Sequence, residues 1–227
     1  MNVSCITFDL DDTLWETGPV IARAEALAHD WLIEHAPQAV AGRTHDELLE
    51  HRRGHYATRP DLSHDFTALR QSWLADIVAG AGYEAAVAEA AFEVFWRARN
   101  EVTPFPAALD LLSNLRGRYV LGTITNGNAD VHHIGLGTHF EFTVTAADAG
   151  AMKPSAQIFA YALDQAGIAP QDALHVGDDA HADIHGAKQA GMRAVWVNPS
   201  SKSWDPALGE PADAVVRDVS ELAALLR

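Results

Sequence analysis

The chain has 227 residues, a formal net charge of −15 and one cysteine, a length that fits one α/β core with an insertion or two small domains. The acidic balance opposes a nucleic-acid partner, and one cysteine excludes an internal disulfide and fits a reducing cytoplasm. No apolar run reaches the about 18 residues of a membrane span.

Taken in chain order, the first expected strand is Cys5–Phe8, and its entry into Asp9, Asp11 and Asp12 argues against a signal peptide. From 16 to 102 no convincing strand occurs. Helical patterns there cover 20–34, 45–55, 65–81 and 84–99, with Thr44 and Asp65 as N-caps and Gly82 as a separator. Thr103-Pro104 then returns the chain to strand–helix alternation. Strands are expected at 119–125, 173–176 and 194–197, with weaker signals at Phe142–Thr145 and Ala214–Val216. Helices are expected at Pro106–Leu115, 155–166, 182–190 and 219–226. Such alternation predicts a parallel sheet covered on both faces, with ligands outside the carboxyl ends of its strands.

Four features carry chemistry. Asp9 and Asp11 follow the first strand. Burying carboxylates unpaired is costly, so they face solvent, a metal or a substrate, and a pair this close needs a cation or shared proton. A turn or helix cap is the plainer reading of the same residues. Thr125, Asn126 and Gly127 close a second strand and can donate to phosphate oxygens, although Asn-Gly by itself signals a turn. Lys153, before Pro154, suits a phosphoryl oxygen or the restraint of a nucleophilic carboxylate; taken singly it reads as a surface lysine. Pro154 is expected to start the next helix. Gly177 allows close backbone approach, Asp178 and Asp183 are hard oxygen ligands of the kind magnesium takes, and Asp179 is the expected N-cap. The twelve histidines are scattered, with no convincing zinc spacing.

In this order the four motifs resemble those of the haloacid dehalogenase superfamily, and the helical stretch after the first resembles its inserted cap. The resemblance implies a Rossmann-like parallel α/β core with helices on both faces at 1–15 and 103–227, plus an all-helical cap at 16–102. It implies Asp9 as a nucleophile that becomes an aspartyl-phosphate, and Asp11 as the acid–base. Thr125, the Asn126 backbone and Lys153 would bind phosphate, and Mg2+ would be held by Asp9, the Asp11 backbone carbonyl, Asp178 and Asp183. The expected function is hydrolysis of a small-molecule phosphate monoester by a cytoplasmic monomer or homodimer. A phosphomutase or a dehalogenase of the same superfamily, or a non-catalytic small-ligand binding protein, are the alternatives. Asp11 favours phosphate chemistry, because dehalogenases resemble this pattern but typically lack a carboxylate there, halide needing no proton.

At finer grain, 8–17, 124–128, 135–142 and 175–183 resemble a bacterial branch that dephosphorylates the ribitylaminouracil phosphate intermediate of riboflavin synthesis, some members also hydrolysing FMN; 149–152 adds nothing to that likeness. Trp15 and Glu16 are expected near the site entrance. Arg52, Arg53, His55, Tyr56 and Arg59 either receive an anionic or aromatic substrate or form a solvated face balanced by Asp46, Glu47 and Glu50. Cys5, Trp31, Trp73 and Trp96 are expected in the core, His132 and His133 on the surface, and His181 beside the metal loop.

Overall fold

The computed structural model describes residues 1–226, which divide into two compact units, Met1–Glu16 with Thr103–Arg227 and Thr17–Val102. The division falls after Glu16, one residue later than the expected boundary. Among the described residues no helix is long and apolar enough to cross a membrane.

The unit Thr17–Val102 holds helices α1 (Thr17–His35), α2 (His45–Ala57), α3 (Phe66–Gly80) and α4 (Ala85–Arg99). Local chemistry sets their starts. Thr44 and Glu47 form a reciprocal capping box at α2, and the Asp65 carboxylate accepts from Ala68 N at 2.9 Å at α3. Leu32, Trp73, Leu74, Ile77, Val78 and Ala91 form this unit's apolar centre. Within it lies an ion cluster in which Glu25 Oε1 accepts from Arg52 at 2.5 Å and Arg70 at 2.6 Å. Burial by itself would raise the Glu25 carboxyl, yet the two guanidinium groups override it and hold it below the usual range. Trp73 is buried as expected, whereas Trp31 and Trp96 are only half-buried.

In the other unit, β1 (Cys5–Phe8), β2 (Val120–Thr125), β3 (Phe142–Thr145), β4 (Ala173–Gly177), β5 (Arg193–Val197) and β6 (Ala214–Val216) form one sheet in the order β3-β2-β1-β4-β5-β6. Every pairing is parallel. The expected α/β class is therefore observed. Strands β1 and β4 are buried along their whole length, which explains why they read as continuous apolar runs. Helix α5 (Pro106–Leu115) starts with proline in its first turn and packs on the turn Val219–Glu221. Helix α6 (Ala156–Ala166) lies on β2 and β3, where Ile158 and Phe159 are fully buried, each contributing about 1.5–3 kcal/mol.

Helix starts differ from expectation in three places, one of them the helix expected at 219–226, which opens as a 3-10 turn over Val219–Glu221 before a short helix at Leu222–Leu225. Pro154 does not begin α6; Ser155 caps it, accepting from Gln157 N at 3.3 Å. The helix expected at 182–190 opens instead as a widened π turn over Ala180–His185, followed by α7 (Gly186–Gln189). There Ile184 N reaches back five residues to Asp179 O at 3.3 Å, and the Asp183 carboxylate accepts from Asp179 N at 2.9 Å. Such π segments recur at functional sites.

Candidate active site

Because the strands run parallel, the segments leaving β1, β2 and β4 emerge on one edge of the sheet. Asp9 continues from β1, anchored by its N–H to Val176 O at 2.8 Å. Thr125 ends β2, and Asp178 follows Gly177 at the end of β4. Lys153 comes between them from the loop before α6, and its buried ammonium donates to Asp9 Oδ1 at 2.5 Å, Asp183 Oδ1 at 2.6 Å and Ile124 O at 2.7 Å. An ammonium has three protons, so each has a partner. The Asn126 side chain clamps the lysine backbone from both sides, accepting from Lys153 N at 2.7 Å and donating to Lys153 O at 3.0 Å. Thr125 Oγ1 accepts from Gly127 N at 2.9 Å, which shapes the turn around it.

Carboxylate oxygens of Asp9, Asp178 and Asp183 lie within 4.8 Å of one another. Their electrostatics differ. Burial, reinforced by Asp183, pushes the Asp9 carboxyl well above the usual range despite Lys153. Burial and the neighbouring carboxylates Asp183, Asp12 and Asp179 push Asp178 up to about 7. For Asp183 burial acts in the same direction, but Lys153 and His175 outweigh it and hold the carboxyl low. Three hard oxygen donors, two of them sharing Lys153, make a set that a divalent cation fits, since it relieves the repulsion that the lysine leaves.

The Asp11 carboxylate stands outside this cluster. It accepts from the Trp15 indole Nε1 at 3.0 Å, while Asp12 N donates to Trp15 O at 2.8 Å. Asp12 has φ 59°, a left-handed conformation that Asp tolerates, and the loop thereby folds Trp15 back onto Asp11. Trp15 is fully buried rather than at an entrance, because a buried indole N–H requires an acceptor and finds one in this carboxylate.

His175 is a residue the sequence reading missed. It is fully buried on β4, with Nε2 3.2 Å from Asp183 Oδ1 and Nδ1 2.9 Å from Thr7 Oγ1. Burial lowers its proton affinity against the pull of Asp183. A neutral ring donating from Nε2 and accepting at Nδ1 satisfies both contacts. Its only sequence signal is a polar residue inside an apolar strand.

The basic stretch of the helical unit resolves largely into ion pairs. Arg52 holds Glu25, Arg53 meets Glu50 at 3.2 Å, and Arg59 meets Asp61 at 2.9 Å. His55 Nε2 lies 2.9 Å from Ser72 Oγ, and Tyr56 sits under the Arg52 guanidinium. Cys5, the first residue of β1, is buried in the core, its thiol pushed up to about 12 by burial. His132 and His133 are not buried, and His181 stacks on His185 beside the Asp183 turn.

Comparison with known proteins converges on one family. The sequence model of the haloacid dehalogenase-like hydrolases matches residues 3–191. The chain is 34% identical to the 5-amino-6-(5-phospho-D-ribitylamino)uracil phosphatase of Escherichia coli, over 91% of this chain and 90% of that protein. It is 29% identical to the glyceraldehyde 3-phosphate phosphatase of Pyrococcus furiosus, over 99% and 93% respectively. A crystal structure from Pseudomonas syringae, described as a 2-haloacid dehalogenase, superposes with a TM-score of 0.91 at 40% identity, covering 98% of this chain and 97% of that one.

Proposed function

Since the chain belongs to the haloacid dehalogenase-like hydrolases, we propose that it is a magnesium-dependent phosphatase that hydrolyses a small phosphate monoester through an aspartyl-phosphate on Asp9. The observation that carries this reading is the separation of two carboxylates two residues apart. Asp9 belongs to the cation-binding cluster beside Lys153, whereas Asp11 is held outside it by Trp15. In this reading one acid attacks and the other moves a proton.

In the first half-reaction an Asp9 oxygen forms a bond to phosphorus as the bond to the leaving oxygen breaks, and the Asp11 proton passes to that oxygen, giving a neutral alcohol. Asp11, now a carboxylate, then takes a proton from water as that water attacks phosphorus, releasing phosphate and restoring Asp9. Thr125 and the Asn126 backbone bind phosphoryl oxygens, and Lys153 holds Asp9 in line. Magnesium, bound by Asp9, Asp178, Asp183 and the Asp11 backbone carbonyl, would neutralise charge on the phosphoryl group. The unit Thr17–Val102 takes the part of the family's helical cap.

For the substrate we favour the 5-phosphoribitylaminouracil named for the Escherichia coli relative, with FMN as a second flavin-pathway ester. The similarity to the Pseudomonas structure supports a second reading, hydrolytic dehalogenation of a 2-haloacid. One screen separates them. Phosphate release from these esters, sugar phosphates and nucleotides is measured with magnesium, beside halide release from 2-chloropropionate, for the parent chain and Asp9→Asn. The phosphatase reading expects ester hydrolysis lost in Asp9→Asn; halide release without phosphate release overturns it, and turnover only of other esters overturns the flavin-pathway assignment.

A further inference from the structure

The indole of Trp15 donates to Asp11 Oδ1 at 3.0 Å from a fully buried position, and the left-handed Asp12 backbone holds the two in register. An indole nitrogen only donates and never accepts. The Asp11 oxygen facing it is therefore held as an acceptor by a donor whose direction is fixed. From this geometry we infer that Trp15 is a positioning residue, which fixes the orientation in which the Asp11 carboxyl meets the leaving group.

The inference rests on the acid role of Asp11 and reaches further, to a dependence on the leaving group. An alkoxide departs poorly without a proton, whereas p-nitrophenolate departs readily. Loss of the indole donor thus selectively slows hydrolysis of alkyl phosphates. A residue that only fills space slows both classes together.

The test compares kcat/KM for FMN, a primary alkyl phosphate, with that for p-nitrophenyl phosphate, using the parent chain, Trp15→Phe, Trp15→His and Asp11→Asn with magnesium. Trp15→Phe keeps an aromatic ring and removes the N–H; the alkyl-to-aryl ratio is expected to fall about tenfold, the effect of one lost hydrogen bond. Trp15→His restores a ring donor and recovers part of the ratio. Asp11→Asn lowers it further, by about a hundredfold or more. The ratio is read within one preparation, so partial unfolding leaves it unchanged. An unaltered ratio in Trp15→Phe beside a lowered one in Asp11→Asn overturns the role of Trp15 alone. An unaltered ratio in Asp11→Asn, or no alkyl phosphate hydrolysis by the parent chain, overturns the acid reading and this inference together.

Discussion

Lys153 donates to Asp9 Oδ1 at 2.5 Å while also holding Asp183 Oδ1 at 2.6 Å, so one buried cation stands between an acid that follows β1 and one from the turn after β4. Burial opposes its charge, yet Asp183 and Asp9 raise its proton affinity above the ordinary lysine value. Lys153→Met leaves those acids facing each other without it. The variant is expected to lose about 3–5 kcal/mol of stability in urea unfolding. Its kcat should fall by at least about a hundredfold, because Asp9, the proposed nucleophile, loses its restraint.

Asp178 gives the cation site a pH signature. Its folded-state pKa of about 7 lies above the unfolded value of about 3.9, so the folded metal-free chain binds more protons between those limits. Stability arising from this group is present below about pH 4 and is lost as pH rises through 7. Thermal melts in EDTA are expected to show that loss, and Asp178→Asn to flatten it. Magnesium competes with the same proton, so its affinity should tighten between pH 6 and 8 with proton release, measured by calorimetry in buffers of different ionisation heat.

Gly177 is a steric requirement of the Asp183 position. A Cβ at residue 177 would lie 2.3 Å from Asp183 Cγ. Gly177→Ala is therefore expected to displace Asp183 from Lys153 and Asp9, lowering magnesium affinity about 10–100-fold. Titration of the metal into the variant, followed by intrinsic fluorescence, checks this directly.

In the helical unit, Glu25→Gln leaves Arg52 and Arg70 buried without their anion. A loss of about 3–5 kcal/mol in urea unfolding is expected. Since the folded Glu25 pKa lies below its unfolded value of about 4.3, its contribution is full above that pH and fades as pH falls through the folded value. The parent and the variant should therefore converge in acid.

The central strands β1 and β4 were readable because they are buried along their whole length and run straight into Asp9 or into Gly177 and Asp178. Those strand ends supply Asp9 and Asp178, and the loop before α6 and the turn after β4 bring Lys153 and Asp183 to them. Other parts depended on neighbours that no local pattern encodes. His175 sits within an apolar run, and its place becomes intelligible only with Thr7 and Asp183 on either side. Trp15 turns inward where Asp12 adopts a left-handed conformation, and the helix after Asp179 opens as a π turn in which the Asp183 carboxylate accepts from Asp179 N. The arginines of the helical unit looked available in sequence because Glu25 lies far from Arg52 and Arg70 along the chain.

Phe105 N donates to Leu14 O at 2.8 Å, which ties together the two stretches of core chain that flank the helical unit. To the sheet, everything between them is a loop already closed at its neck, and the entropy of closing such a loop grows only with the logarithm of its length. Ancestry can therefore lengthen, shorten or exchange that segment while β1 and β2 keep their register, so the chemistry and the choice of molecule can be inherited separately.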